Sequence, residues 1–171
     1  MLLVNVTGRS IADYKQEKLN EPLGMDSPGY WLGDRGPRTG FWWMLLTARD
    51  FAKLGELYRN EGVWRGRQVV PASYVAVSIN VEAPHLAPGE PVMANHTRPV
   101  GYGDQWWLPD GDRGEFTAIG VYNRFFFVDP SRGVVIVKLS ANPAYGTTDG
   151  EETNKDYHNI SAHRAISGQF D

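Results

Sequence analysis

Two apolar runs, Tyr122–Val128 and Val134–Ser140, flank the short segment Asp129-Pro130-Ser131-Arg132-Gly133. Both runs have strand length and are rich in β-branched and aromatic residues. The joining segment has Pro at a turn position and Gly where a positive φ is needed. This hairpin constrains the rest of the fold. Its second arm, VVIVKL, is almost continuously apolar, which predicts a strand covered on both faces. Such a hairpin needs further strands beside it and helices over it.

The remaining sequence supplies candidates for both. Gly101–Trp107 and Phe116–Gly120 read as additional strands, with Pro109–Gly114 as a turn between them. Thr47-Ala48-Arg49-Asp50 has the capping-box pattern. Phe51, Leu54, Gly55 and Tyr58 follow it on a single helical stripe, and Asn60–Gly62 ends the helix. Ser10–Asp13 is a second capping box, predicting a helix to about Leu19 that stops at Pro22 and Gly24. Leu2–Val6 fits a helix end or a short strand. Residues 26–40 read as a loop anchored by Trp31. Trp64–Gln68 reads as a turn between short extended pieces, Ala72–Ser78 as a short helix begun by Pro71, and 82–99 as a surface excursion. Beyond a polar loop at 142–153, residues 152–169 carry Tyr157, Ile160 and Ala165 at roughly helical spacing. A terminal helix on the sheet is the expected cover. The expected class is α+β: an antiparallel sheet covered by helices, with 1–80 mainly helical and 100–171 forming strands plus a terminal helix.

Composition narrows the function. A net charge of −3 with acids and bases intermixed gives no basic stripe for nucleic acid. No apolar run reaches the roughly 18 residues of a membrane span. There is no cysteine, which removes disulfides and thiolate metal sites and leaves the compartment open, with cytoplasmic as the default.

Motifs for chemistry are sparse. None of the serines has a lysine three residues later, so S-x-x-K is absent. Gly8-Arg9-Ser10-Ile11-Ala12 approaches G-x-S-x-G but has Ala last, and Ser10 stands where a helix cap is expected. His158 and His163 are five apart, which puts them on different faces of a helix and excludes an i, i+4 metal pair. No metal site and no cofactor is expected. Tyr58-Arg59-Asn60, Ser78-Ile79-Asn80 and Ser140-Ala141-Asn142 have the letters of Y-x-N or S-x-N motifs, but each ends a predicted helix or strand. Trp106 and Trp107, adjacent in a predicted strand, should face opposite sides. One is expected in the core and the other on a surface fit for a substrate wall.

Four segments in order, TGRSIADYKQEKLNEPLGM (7–25), TARDFAKLGELYRNEGVWRGRQVVP (47–71), GYGDQWW (101–107) and AIGVYNRFFFVDPSRGVVIVKLSAN (118–142), resemble the penicillin-recognising serine hydrolases. That group contains class C β-lactamases, DD-peptidases and related esterases, and the 6-aminohexanoate-dimer hydrolase branch is the nearest in pattern. The resemblance implies that residues 1–171 form the C-terminal portion of a β-lactamase-like domain. It implies an ester, amide or lactam as the acyl substrate and an acyl-enzyme intermediate. The S-x-x-K pair and the Y-x-N motif would then lie upstream of Met1.

Ala118-Ile119-Gly120 would occupy the family's K-T-G strand position, with Ala in place of the basic residue. Val121 N–H, beside Gly120, would be one oxyanion donor. Ala118, Ile119, Tyr122, Asn123, Gln105 and Trp106 would line the substrate. The chain also departs from the family pattern: Trp42, Trp43 and Leu45 stand where relatives often have a Gly/Cys pair and an Asn, and Arg124 stands where they often carry Gln. Alone, the chain is expected to be inactive. The alternative is a non-catalytic module that binds a small molecule. In the family, N-terminal strands and a helix complete the sheet. Without them an edge should stay uncovered, so a homo-oligomer or a complementing N-terminal segment is expected.

Overall fold

A computed structural model describes residues 2–27, 30–32, 43–89, 91–93, 96–97, 100–148 and 150–170, without side chains at 30–32, 43–45, 91–93 and 96–97. The centre is a five-stranded antiparallel meander: β1 (Val100–Tyr102), β2 (Trp107–Pro109), β3 (Phe116–Gly120), β4 (Arg124–Asp129) and β5 (Val134–Lys138). Its spatial order is β5-β4-β3-β2-β1, so β5 and β1 are the outermost strands among the described residues. The expected hairpin is present, with Phe125 opposite Lys138 and Asp129 opposite Val134. The link is a 3₁₀ turn, Pro130–Arg132, closed by Gly133 at φ 66° and capped by the Asp129 carboxylate, which accepts from Arg132 N–H.

Alternation along β3 and β4 builds a core on both sides of the sheet. Phe116, Phe126 and Val128 face one side, where they join Trp106 and Leu108 and meet Phe51, Leu54 and Tyr58. The last three lie on α3 (Ala48–Arg59), after α1 (Leu2–Thr7) and α2 (Ile11–Lys15). The α3 stripe predicted from spacing is therefore the buried one. Its Gly55 is required by crowding, since an added Cβ would overlap the Phe126 ring and the Val135 side chain. Phe125 faces the other side and clusters with Val100 and Ile160. Ile160 lies on α6 (Asp156–Ser167), which follows α4 (Ala72–Ser78) and α5 (Glu151–Asn154). The Phe125-Phe126-Phe127 run thus packs on both faces, each ring removing a large apolar area from water.

Both N-caps form: the Ser10 and Thr47 hydroxyls accept from the N–H groups of Asp13 and Asp50 and donate to those residues' carboxylates. Asp50 is fully buried. Burial alone would raise its pKa, but the Asp26 N–H, Thr47, Lys53 and the Ser27 N–H hold it below the usual carboxylate range. Lys15 shifts downward because it is partly buried, with the Asp50 charge opposing the shift. The Trp64–Gln68 turn is a hairpin, Val63–Trp64 against Arg67–Gln68, with Arg65 and Gly66 at positive φ.

Several elements differ from the sequence reading. The helix begun at Ile11 does not stop near Leu19. It widens into a π turn at Gln16–Asn20 and continues through Glu21–Leu23 to Gly24 in the left-handed region. Pro22 has no N–H and its ring crowds the preceding turn, which the wider π turn accommodates. Inside the expected loop 26–40, Tyr30–Leu32 pairs with Trp43–Leu45. The anchoring role of Trp31 and the position of Trp42 lie outside what is described. The expected strand 101–107 is broken in two. Gly103 approaches the Ser78 carbonyl too closely for a Cβ, Asp104 N–H donates to that carbonyl, and Gln105 adopts φ 70°.

The first hairpin arm starts at Arg124, because Tyr122 and Asn123 belong to the turn. The terminal helix is interrupted at Lys155, φ 54°, and its buried stripe is Asp156, Ile160, His163 and Ser167 rather than Tyr157 and Ala165. Finally, β5 packs Val135 and Val137 toward the α3 side and sets Ile136 opposite Phe127 on the other. It is an outermost strand among the described residues, and all five of its residues are half-buried.

Candidate functional site

The site-bearing segment is the end of β3 and the turn after it. Five consecutive residue pairs join β3 to β4, whereas on its other side β3 meets β2 only at Thr117 opposite Trp107. Beyond that pair the chain leaves the ladder through the 103–106 turn. Among the described residues no strand therefore faces the outer side of Ala118, Ile119 and Gly120, and Gln105, exposed, stands at the same end of the sheet. An open edge of this kind accepts backbone hydrogen bonds from an extended ligand. Beside Gly120 the space is free: an added Cβ would meet nothing nearer than Arg124 at 3.6 Å.

Val121 and Tyr122 follow at 48% and 39% exposure. Tyr122 and Asn123 are both left-handed, at φ 63° and 60°. Asn adopts this region readily; for a bulky aromatic it costs about 1–2 kcal/mol. The turn is held by amide side chains. Asn142 donates its backbone N–H to the Tyr122 carbonyl at 3.3 Å and its side-chain amide to Asn123 Oδ1 at 2.5 Å and the Thr153 carbonyl at 2.9 Å. Asn123, 2% exposed, donates its own amide to the Asn154 carbonyl. Lys138 Nζ donates to the Asn123 carbonyl at 2.9 Å and lies over the Phe125 ring. Burial pushes the Lys138 ammonium below its ordinary pKa. The Arg124 guanidinium lies 5.9 Å from the Tyr122 ring centre. The result is a strand end with an exposed, apolar lip whose geometry is fixed from behind by polar groups.

The expected site residues divide accordingly. Gly120, Val121, Tyr122 and Asn123 are contiguous and partly open, except that the Asn123 side chain faces inward as a brace. Ala118 and Ile119 send their side chains into the two cores and offer backbone to the open edge. Trp106, expected to line the substrate, is instead a core residue at 5% exposure, edge-on to Phe116 and Phe126 at 4.9 and 5.3 Å. Its neighbour Trp107 faces the opposite side, as expected, but packs there against Tyr102 at 4.8 Å.

Three residues of the brace went unrecognised. Asn142 carries only the letters of an S-x-N motif at a strand end. Lys138 stands out only as the one charge in VVIVKL, and Asn154 gives no sequence signal. Among the described residues no group of three His, Asp or Glu side chains is placed to hold a metal ion.

Comparison with known proteins adds to this geometry. The family model described as Beta-lactamase matches residues 1–159. A 6-aminohexanoate-dimer hydrolase of Paenarthrobacter ureafaciens is 32% identical over 97 residues, covering 57% of this chain and 24% of that enzyme. A Bacillus anthracis structure carrying the provisional name 6-aminohexanoate-dimer hydrolase is similar at TM-score 0.75 and 28% identity, over 98% of this chain and 40% of its own. A Mycobacterium bovis β-lactamase shares the fold at TM-score 0.66 and 22% identity, over 98% of this chain and 59% of its own. The chain thus spans a quarter to about three fifths of the length of these relatives.

Proposed function

The chain belongs to the β-lactamase family, and from that premise we propose that it supplies one wall of a serine hydrolase active site whose nucleophile lies on a separate segment. In this reading the parent cleaves an ester, amide or lactam. A serine attacks the carbonyl carbon, the developing oxyanion accepts from Val121 N–H beside Gly120, and the acyl-enzyme is released by water. The observation that carries the reading is the open outer side of Ala118–Gly120, continued by the exposed Val121 at a braced turn. The open side of the strand would hold the substrate backbone, and free space at Gly120 would allow the close approach. The S-x-x-K and Y-x-N elements would come from the part of the parent that this chain does not match. The shares of the relatives' length covered, 24% and 40%, leave room for it.

Two assays test this. Alone, the purified chain is expected to leave a chromogenic cephalosporin and a nitrophenyl ester unhydrolysed and to form no adduct with a serine-directed phosphonate by mass spectrometry. An adduct would overturn the reading. Joined to the unmatched upstream part of the Bacillus relative, the chain should hydrolyse the ester. Val121→Pro, which deletes the donor N–H, should then lower kcat by about 10²–10³-fold with little change in KM. An unchanged kcat would remove Val121 from the role.

A further inference from the structure

Lys138 ends an otherwise apolar strand. Val134, Val135, Ile136 and Val137 precede it in β5, and its side chain shares a face of the sheet with Phe125, Phe127 and Ile136. His163 of α6 lies over the same two rings, 5.4 Å from each. An ammonium set among aromatic and aliphatic groups loses hydration, and burial lowers the Lys138 pKa from its ordinary value. Its charge in turn adds to the burial that keeps His163 neutral. Against these costs, among the described residues, stand a hydrogen bond from Nζ to the Asn123 carbonyl at 2.9 Å and the Phe125 ring 5.9 Å away. Packing alone would favour an apolar side chain here, so the reason for the charge lies in what it holds.

What it holds is the turn that carries Val121. The backbone is left-handed at both Tyr122 and Asn123, and a tyrosine stays in that region only under constraint. Two bonds pin the carbonyls of the turn: Asn142 N–H donates to Tyr122 at 3.3 Å, and Lys138 Nζ to Asn123 at 2.9 Å. The second is shorter and charge-assisted, a class roughly twice as strong as neutral bonds. We propose that Lys138 is a positioning residue: its ammonium, set on the Asn123 carbonyl, keeps the turn left-handed and so fixes the direction in which the Val121 N–H points. On the other side of Val121, the pairing of Gly120 with Arg124 fixes the strand. Between these two anchors the N–H keeps its direction. Lys138 touches no reacting atom and acts through the turn. Its consequence for catalysis rests on the reading of Val121 as an oxyanion donor, whereas its effect on the turn does not.

Lys138→Met tests the idea, since it removes the charge and the donor and keeps an apolar stem beside Phe125. In the 171-residue chain, the backbone nitrogen order parameters of Val121, Tyr122 and Asn123 should fall from about 0.85 to below about 0.6. Those of Phe126–Val128 and the urea midpoint should not change. In the protein joined to the unmatched upstream part of the Bacillus relative, the variant should lower kcat for the ester by about 10-fold with KM unchanged. A misdirected donor loses less than the deleted donor of Val121→Pro, for which about 10²–10³-fold is expected. Added to Val121→Pro, Lys138→Met should slow the reaction no further, because there is no donor left to direct. Unchanged order parameters at 121–123 overturn the proposal whatever the kinetics. So does a lowered urea midpoint with mobility rising along the whole sheet, which would make Lys138 an ordinary part of the fold, and so does a further loss of kcat on top of Val121→Pro. An unchanged kcat in Lys138→Met where Val121→Pro is slow overturns the positioning role and leaves the hydrolase reading standing. An unchanged kcat in Val121→Pro removes the hydrolase reading instead, and the order parameters then decide whether Lys138 holds the turn.

Discussion

The two ends of β3 are built on different principles. At its start, Phe116 and Thr117 are 1% and 0% exposed, the Thr117 hydroxyl donates to the Phe126 carbonyl, and β2 and β4 flank it on both sides. At its finish, one flank is open, the following residues are exposed, and the backbone turns left-handed at an aromatic residue. Apolar packing fixes the first end. Hydrogen bonds donated by Asn142, Asn123 and Lys138, two of them to the Thr153 and Asn154 carbonyls, fix the second. An exposed strand end has no packing of its own on that side, so its shape is held by polar groups from behind. The contrast also separates stability from function: changes at the start should cost folding energy, and changes at the finish should cost geometry.

The largest effect tests the packed end. Phe126→Ala should lower unfolding free energy by about 3–5 kcal/mol, read from urea denaturation. A loss below about 1 kcal/mol would show that the α3-facing core is not what secures this strand.

A second test concerns the opposite face. His163 is 3% exposed between Phe125 and Phe127, its Nδ1 has no hydrogen-bond partner among the described residues, and burial, then the Lys138 charge, lowers its pKa to about 4. The unfolded chain takes up this proton near pH 6.5, before the fold does. Stability is therefore full above about 6.5 and falls as the pH drops toward 4, by roughly 3 kcal/mol. His163→Phe should flatten that slope in urea titrations between pH 7 and 4.5. Below that window Asp129 contributes: burial would raise its pKa, but Ser131, Ser167 and the Arg132 N–H hold it down, so its contribution survives to lower pH.

The smallest change in stability is expected at the finish. Asn142→Ala should cost about 1–2 kcal/mol, and the loss should be local. Amides of 121–124 should exchange faster while those of Phe116 and Thr117 keep their protection. A uniform loss of protection along β3 would show that the two ends act as one unit.

How much of this could be read from the sequence follows the same division. The α+β class, the hairpin, both N-caps and the α3 stripe rest on local periodicity and turn chemistry, and they appear as expected. The breaks do not. The 103–106 turn depends on Gly103 lying against Ser78, a contact between distant segments. The buried stripe of α6 includes a histidine and an aspartate, which hydropathy spacing does not select. Strand alternation puts Trp106 and Trp107 on opposite sides without saying which side is open, and both faces of this sheet are packed. In the site, backbone features such as Gly120 and the turn were legible from the strand pattern. The groups that hold them come from segments up to 31 residues away.

Asp129 gives the chain's far end a structural importance that its position would not suggest. The buried carboxylate accepts from the Ser167 hydroxyl at 2.6 Å, four residues before the last amino acid. A version shortened ahead of that serine would leave this oxygen with only the more distant Arg132 guanidinium, at 3.6 Å, in place of the short hydroxyl bond, and the damage would appear at the hairpin instead of at the trimmed tail. An extension added after the final residue leaves this latch intact, which makes it the safer place for a handle.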